Sequence, residues 1–257
     1  MPLTEISTGA TLHYEHLNPA ASGIPVIVIH GLLGTARSQL GDLLDWLADN
    51  GYPTIGLTLR GYGESLPKPR DFPDNFYHRD AEDVLAFMDA LNIKKAHFLG
   101  YSDGGEVVLI MAGKYPDRVA STAAWGAVGN FGAELRPVFQ RTHPGSRWIT
   151  SEEMDEHGLT DPDAFTLQWV RSTTRMIDEG GDISLSMAGN ITSPTMILLG
   201  KDDTLNPAEY AQRFLDKTSD GKLALFDCGH PVHGEQRDAF YAVIKGHLER
   251  ANAKATS

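Results

Sequence analysis

The 257-residue chain has one cysteine, Cys228. A single thiol excludes an intrachain disulfide and any cysteine-built zinc site, and it agrees with a reducing compartment, so a cytoplasmic location is expected. Cys228 itself reads as a small buried hydrophobe. Cationic charge is scarce: 22 Lys and Arg stand against 34 Asp and Glu, a formal charge of -12. Such a chain repels phosphate backbones and anionic lipid surfaces, so neither nucleic acid nor a membrane is expected as a partner. Long apolar runs are missing as well, and none approaches the roughly 18 residues of a membrane span. Met1 to Gly9 show no basic start, apolar stretch or Arg-rich amphipathic pattern, so no targeting peptide is expected. Repeats and low-complexity tracts are absent, and nothing in the composition sets an oligomeric state.

Hydrophobic residues make up 41% of the chain, enough for one substantial core with an insertion. Short β-rich runs alternate with helical periodicity. Val26 to Ile29 predicts a strand, Leu40, Leu43, Leu44 and Leu47 a helix face, and Thr54 to Leu57 a second strand. The pattern continues with the helix face Tyr77, Ala81, Val84, Met88 and Leu91, the strand run Ala96 to Leu99, and a helix carrying Val107, Val108 and Met111. Further strands are expected at Val119 to Ala124, Thr195 to Leu199 and Lys222 to Phe226, and a last helix carries Phe240, Val243, Ile244 and Leu248. This alternation predicts an α/β fold, a mostly parallel sheet flanked by helices. From the strand at 119–124 to Pro194 no apolar strand run occurs, and Asp161-Pro162-Asp163 reads as a helix start that places Phe165, Trp169 and Met176 on one face. Residues 129–189 are therefore expected to form a small helical cap on a core of residues 1–128 and 190–257. Ala251 to Ser257 is expected to be a frayed tail.

Gly100-Tyr101-Ser102-Asp103-Gly104-Gly105 directly follows a strand run and precedes a helical pattern. A serine at that sharp turn is exposed above the sheet, and the flanking glycines leave room where strand and helix crowd together. The helix N-terminus behind it offers unpaired N–H groups to a developing negative charge. A hydroxyl needs a base to take its proton, and the base needs a carboxylate to fix its tautomer. Asp203 and then His230 follow two later strands, in the order nucleophile, acid, base. Asp202 and His233 are their local rivals. A zinc reading of His230, His233 and Glu235 matches no ligand spacing. The loop His30-Gly31-Leu32-Leu33-Gly34 supplies Leu32 N–H as a candidate oxyanion donor, paired with Asp103 N–H. His30, Trp125 and Phe131 are candidate pocket residues. Acyl transfer by these groups calls for no metal and no organic cofactor, and activity is expected to rise with pH near the roughly 6.5 of an imidazole.

These elements resemble the α/β-hydrolase superfamily, and Ser102-Asp103-Gly104-Gly105 resembles most the valacyclovir hydrolase (biphenyl hydrolase-like) family. Arg60-Gly61-Tyr62-Gly63, Arg70-Asp71-Phe72-Pro73, Arg79-Asp80-Ala81, Lys114-Tyr115-Pro116 and Trp125-Gly126-Ala127 are similar to that family too. The resemblance implies an α/β-hydrolase fold with a helical cap, and a serine hydrolase that cleaves carboxylic esters through an acyl-enzyme. It also implies that Asp103 holds the ammonium of a small α-amino-acid ester, whereas from its position alone Asp103 could equally cap the helix. Thr58 departs from the acidic residue many superfamily members carry before the Arg-Gly turn. Other readings of the same residues are a general carboxylesterase, a lactonase or a C–C bond hydrolase with a neutral substrate. A non-catalytic ligand-binding protein on the same fold belongs to a different class.

Overall fold

The computed structural model describes residues 2–255. An eight-stranded sheet runs in the order β1-β2-β4-β3-β5-β6-β7-β8. Its strands are β1 (Leu3–Glu5), β2 (Thr11–Leu17), β3 (Val26–Ile29), β4 (Thr54–Leu57), β5 (Ala96–Tyr101), β6 (Val119–Trp125), β7 (Thr195–Gly200) and β8 (Gly221–Phe226). The pairings β1·β2 and β2·β4 are antiparallel, and every other pairing is parallel. The helices are α1 (Ala36–Asp49), α2 (Phe76–Ala90), α3 (Asp103–Lys114), α4 (Arg136–Gln140), α5 (Ser151–His157), α6 (Pro162–Asp178), α7 (Ala208–Leu215), α8 (Val232–Glu235) and α9 (Arg237–Ala255).

β3 is an uninterrupted apolar run, and its neighbours β4 and β5 are buried along almost their whole length, because both faces of the sheet are covered. In β3, Ile27 and Ile29 join one core with Val84 and Phe87 of α2 and Val107 of α3. Val26 and Val28 point the other way, to Leu43, Leu44 and Leu47 of α1 and Phe240, Ile244 and Leu248 of α9. Each such buried leucine stabilises the fold by about 1.5–3 kcal/mol relative to exposure. The period-2 alternation of one strand thus feeds two helix layers.

Between β6 and β7 the chain forms helices and 3₁₀ turns, with one isolated antiparallel bridge between Asn130 and Asp182. Asp161 caps α6, its carboxylate accepting from the Asp163 and Ala164 N–H groups, with Pro162 in the first turn. Among the contacts that tie this segment to the rest of the molecule, Gly63 N–H donates to His157 Nδ1 at 3.0 Å, and the Ser172 hydroxyl to the Phe72 carbonyl at 2.5 Å.

The C-terminus corrects the expectation of a frayed tail. The helix α9 continues to Ala255, Ala251 is 2% exposed, and Asn252 Oδ1 lies 3.0 Å from His97 Nε2. An inward-facing alanine and an amide matched to a buried imidazole hold the last turns against the sheet. Thr256 and Ser257 lie outside the described residues. Among the described residues no helix is long and apolar enough to cross a membrane.

Candidate active site

Ser102 stands at the turn from β5 into α3 with φ 52° and ψ -119°. A non-glycine residue reaches that region only where its surroundings enforce it, at a cost of about 1–3 kcal/mol. The enforcing contacts are visible: Ser102 N–H donates to the Trp125 carbonyl at 2.8 Å and Ser102 C=O accepts from Glu106 N–H at 3.1 Å. A Cβ on Gly100 would stand 2.3 Å from the Gly104 carbonyl oxygen, and one on Gly104 would stand 2.4 Å from the His30 carbonyl oxygen. Strand, helix and the loop after β3 therefore meet only because both positions lack side chains.

The ends of β7 and β8 bring two partners to this hydroxyl. His230 Nε2 lies 3.0 Å from Ser102 Oγ, and His230 Nδ1 lies 2.8 Å from Asp203 Oδ2. The Asp203 side chain is wholly buried. Burial works against its charge, but His230, the Leu205 N–H and the Asn206 amide together prevail and hold the carboxyl below its usual value. Asp202, its rival, is exposed. His233, the rival of His230, accepts from Trp125 Nε1 at 3.0 Å, and burial beside His230 lowers its pKa to about 4.

The loop after β3 borders the serine closely, since a Cβ on Gly31 would lie 3.0 Å from the Ser102 Cβ. Asp103 N–H is the first of α3 and has no intrahelical acceptor. His30 does not line the cavity as expected. It is fully buried, its Nε2 accepts the Leu59 N–H at 3.0 Å, and its Nδ1 is therefore the protonated nitrogen, 2.8 Å from the Gly31 carbonyl. Burial, offset in part by that carbonyl, lowers the His30 pKa to about 3, so the ring stays neutral. Trp125 is corrected likewise: it is fully buried among Tyr101, His233 and Phe240 and outside the cavity. Phe131 does line it.

The cavity beside Ser102 is narrow, about 30 Å³. Phe131, Phe139 and Trp169 form an aromatic wall with edge-on contacts at 4.8 and 5.3 Å between ring centres. Into this wall projects the Asp103 carboxylate, which accepts from the Tyr77 hydroxyl at 2.6 Å and from Trp169 Nε1 at 3.3 Å. It makes no side-chain cap, because α3 has none. Burial raises the Asp103 pKa to about 6, against the pull of Tyr77 and Arg70. Arg70 is itself committed to Asp80, with contacts of 2.8 and 2.5 Å.

Glu106 went unnoticed in the sequence, although it sits three residues after Asp103 and so on the same helix face. It is 2% exposed, lines the same cavity, and accepts from Val128 and Gly129 N–H at 3.0 Å each. Burial raises its pKa to about 7, with the Asp103 charge adding to the effect. The native state thus holds a proton that the unfolded chain releases near 4.5, so this group's contribution to stability falls as pH rises from about 4.5 to 7. Glu106→Gln keeps an acceptor for both N–H groups and removes the charge. It is expected to stabilise the protein at pH 8 by up to about 3 kcal/mol and to change little at pH 4.5. Chemical denaturation at the two pH values measures the difference; equal effects at both would contradict a buried ionised carboxylate. Tyr77 and Asn206 are further site residues that no motif announced. Tyr77 read only as one of a buried helix face, and Asn206 as part of a loop.

Comparison with known proteins agrees with this architecture. The family model described as the alpha/beta hydrolase fold matches residues 24–175. Serine hydrolase BPHL of Mus musculus is 30% identical over 247 residues, covering 94% of this chain and 84% of the relative. A 2-hydroxy-6-oxononadienedioate/2-hydroxy-6-oxononatrienedioate hydrolase of Pseudomonas sp is 26% identical over 262 residues, covering 91% and 92%. The crystal structure of the enol-lactonase from Burkholderia xenovorans LB400 superposes with a TM-score of 0.71 at 22% identity, over 96% of this chain and 100% of that one. At that identity the likeness speaks for the fold alone. The matched stretch exceeds half of the chain and contains the serine turn, and the chain belongs to the α/β-hydrolase superfamily as one of its serine hydrolases.

Proposed function

We propose that this protein hydrolyses small α-amino-acid esters through an acyl-enzyme on Ser102. The observation that carries the reading is the buried Asp103 carboxylate, which faces the same narrow cavity as the Ser102 hydroxyl. Ser102 Oγ attacks the ester carbonyl while His230 Nε2 takes its proton, and the carbonyl oxygen becomes an oxyanion held by Leu32 N–H and Asp103 N–H. His230 returns the proton to the departing alkoxide, and a water then repeats the sequence to release the acid and restore Ser102. Asp203 keeps the Nδ1 proton of His230 in place throughout. No step calls on a metal or an organic cofactor.

A substrate ammonium would meet a carboxylate whose own donors are a phenol and an indole, neither of which cancels its charge. Such a charge-assisted bond contributes about 1.5–3 kcal/mol, or roughly tenfold to a hundredfold in selectivity. Matched p-nitrophenyl esters with and without the α-amino group test this. The wild type is expected to prefer the amine by that factor, and Asp103→Asn to bring the ratio near one. Because kcat/KM follows the free enzyme, the ratio is expected to rise with pH through about 6 as Asp103 ionises. It then declines as the substrate amine loses its proton. A ratio independent of pH and of residue 103 would exclude the amine reading.

A second reading is hydrolysis of a neutral ester, a lactone or a C–C bond beside a ketone, and a relative named as a hydrolase of 2-hydroxy-6-oxo dioates favours a carbonyl-bearing substrate. Two carboxylates in the cavity disfavour any acyl group that is itself anionic. A substrate panel separates the two readings. Failure of a fluorophosphonate to label Ser102 would favour a ligand-binding protein instead.

A further inference from the structure

We propose that Gln39 is a positioning residue that holds the Leu32 N–H in its oxyanion-binding direction, an inference that rests on the acyl-transfer reading above. Gln39 lies in the first turn of α1 and does not line the acyl cavity. Its side-chain oxygen accepts the Gly31 N–H at 2.8 Å, and its side-chain NH₂ donates to the Leu32 carbonyl at 3.0 Å. One amide group therefore fixes the peptide before Gly31 and the peptide after Leu32. The peptide between them carries the Gly31 carbonyl and the Leu32 N–H, which point in opposite directions across a trans bond. His30 Nδ1 holds that carbonyl from behind, which turns the N–H away from His30. With Gln39 removed, a single contact would remain to orient this peptide, next to a glycine whose backbone is free to rotate.

The capped first turn of α1 anchors Gln39, which directly precedes a kink at Leu40 (φ -126°, ψ 15°). Thr35 Oγ1 accepts the Ser38 N–H at 3.0 Å and Ser38 Oγ accepts the Thr35 N–H at 2.9 Å, a reciprocal cap that fixes the first turn. Gln39 N–H then donates to the Thr35 carbonyl at 3.2 Å. The loop in turn is shaped around the amide: a Cβ on Gly34 would stand 2.1 Å from Gln39 Cδ and 2.5 Å from both its oxygen and its nitrogen. Gly34 thus leaves the space in which the Gln39 amide lies flat against Gly31 and Leu32.

Gln39→Met keeps the length of the side chain and removes both bonds. The expected result is a fall of about tenfold in kcat with KM nearly unchanged, less than the hundredfold or more that loss of an oxyanion donor costs. The rate at which a fluorophosphonate modifies Ser102 should fall by the same factor. Gly34→Ala leaves the amide chemistry intact and displaces it, so it should reproduce the loss, and the double variant should lose no more than either single one. Melting curves accompany both variants, and Gly34→Ala decides alone if Gln39→Met does not fold. Unchanged kcat and labelling, or a change confined to KM, would overturn the role of Gln39 while leaving Ser102 as nucleophile. A wild type that neither turns over esters nor takes the label would overturn the acyl-transfer reading and this inference with it.

Discussion

Ser102→Ala is expected to lower kcat on an activated ester by about 10⁶-fold, down to the residual rate that a site without its nucleophile sustains. The loss should be chemical, not structural. Alanine at 102 inherits the same φ of 52°, the same N–H contact to the Trp125 carbonyl and the same helix start, so the melting temperature should barely move. Ser102→Gly makes a sharper control. Glycine adopts positive φ freely, so relief of the strained turn is expected to stabilise the fold by about 1 kcal/mol while activity is lost as completely as in the alanine variant. Stability held at the site of a serine that could relax, together with activity that depends on it, is the trade expected of a nucleophile turn. Retention of more than a hundredth of wild-type turnover by either variant would remove Ser102 from the mechanism. Steady-state kinetics with an active-site titration, alongside a thermal melt, provides both readings.

The parts of this arrangement that were legible in the sequence share a physical cause. Strands β3, β5, β6 and β7 are buried on both faces, so each is dominated by apolar and small residues over a strand length, and the residue that follows such a run lies at the edge of the sheet where functional groups gather. Ser102 and Asp203 were visible for that reason, whereas His230 follows the largely exposed edge strand β8 and was legible from its order after the acid. The strands β1 and β2 were not, because β1 is only three residues long and β2 carries polar residues whose partners are remote in sequence, as Glu15 accepts from Arg37. His30 and Trp125 read as pocket residues because both end a strand near the site. Only the folded chain reveals that Leu59 N–H occupies the His30 ring nitrogen and that Trp125 turns to the opposite face of the sheet. Glu106 could have been found, since helical spacing already set it beside Asp103. Gln39 and Asn206 could not, because their contacts depend on loop conformation that no periodicity encodes.

Asp203→Asn is expected to lower kcat by about 10⁴-fold with KM little changed, and the cause lies in the count of donors around position 203. Asp203 Oδ1 accepts the Leu205 N–H at 2.9 Å, while Oδ2 accepts from His230 Nδ1 at 2.8 Å and from the Asn206 NH₂ at 3.0 Å. Both sides of the carboxylate thus face donors, and an asparagine has an oxygen for one side only. If its oxygen faces His230, its NH₂ meets the Leu205 N–H, an unpaired buried contact that costs about 1–3 kcal/mol. If its NH₂ faces His230, the imidazole must accept at Nδ1 and carry its proton on Nε2. Asn206 Nδ2 loses its Oδ2 acceptor in that orientation but already stands 3.3 Å from His230 Nδ1, so it turns its N–H to the bare Nδ1 and favours that tautomer. A protonated Nε2 points its hydrogen at Ser102 Oγ, 3.0 Å away, and cannot take the serine proton. Nitrogen-15 spectra of the His230 ring separate this account from a simple loss of charge. The wild type should show the proton on Nδ1 and the variant on Nε2 in proportion to the lost rate. A variant that loses activity while Nδ1 stays protonated would assign the role of Asp203 to its field on the imidazolium, not to its hold on the tautomer.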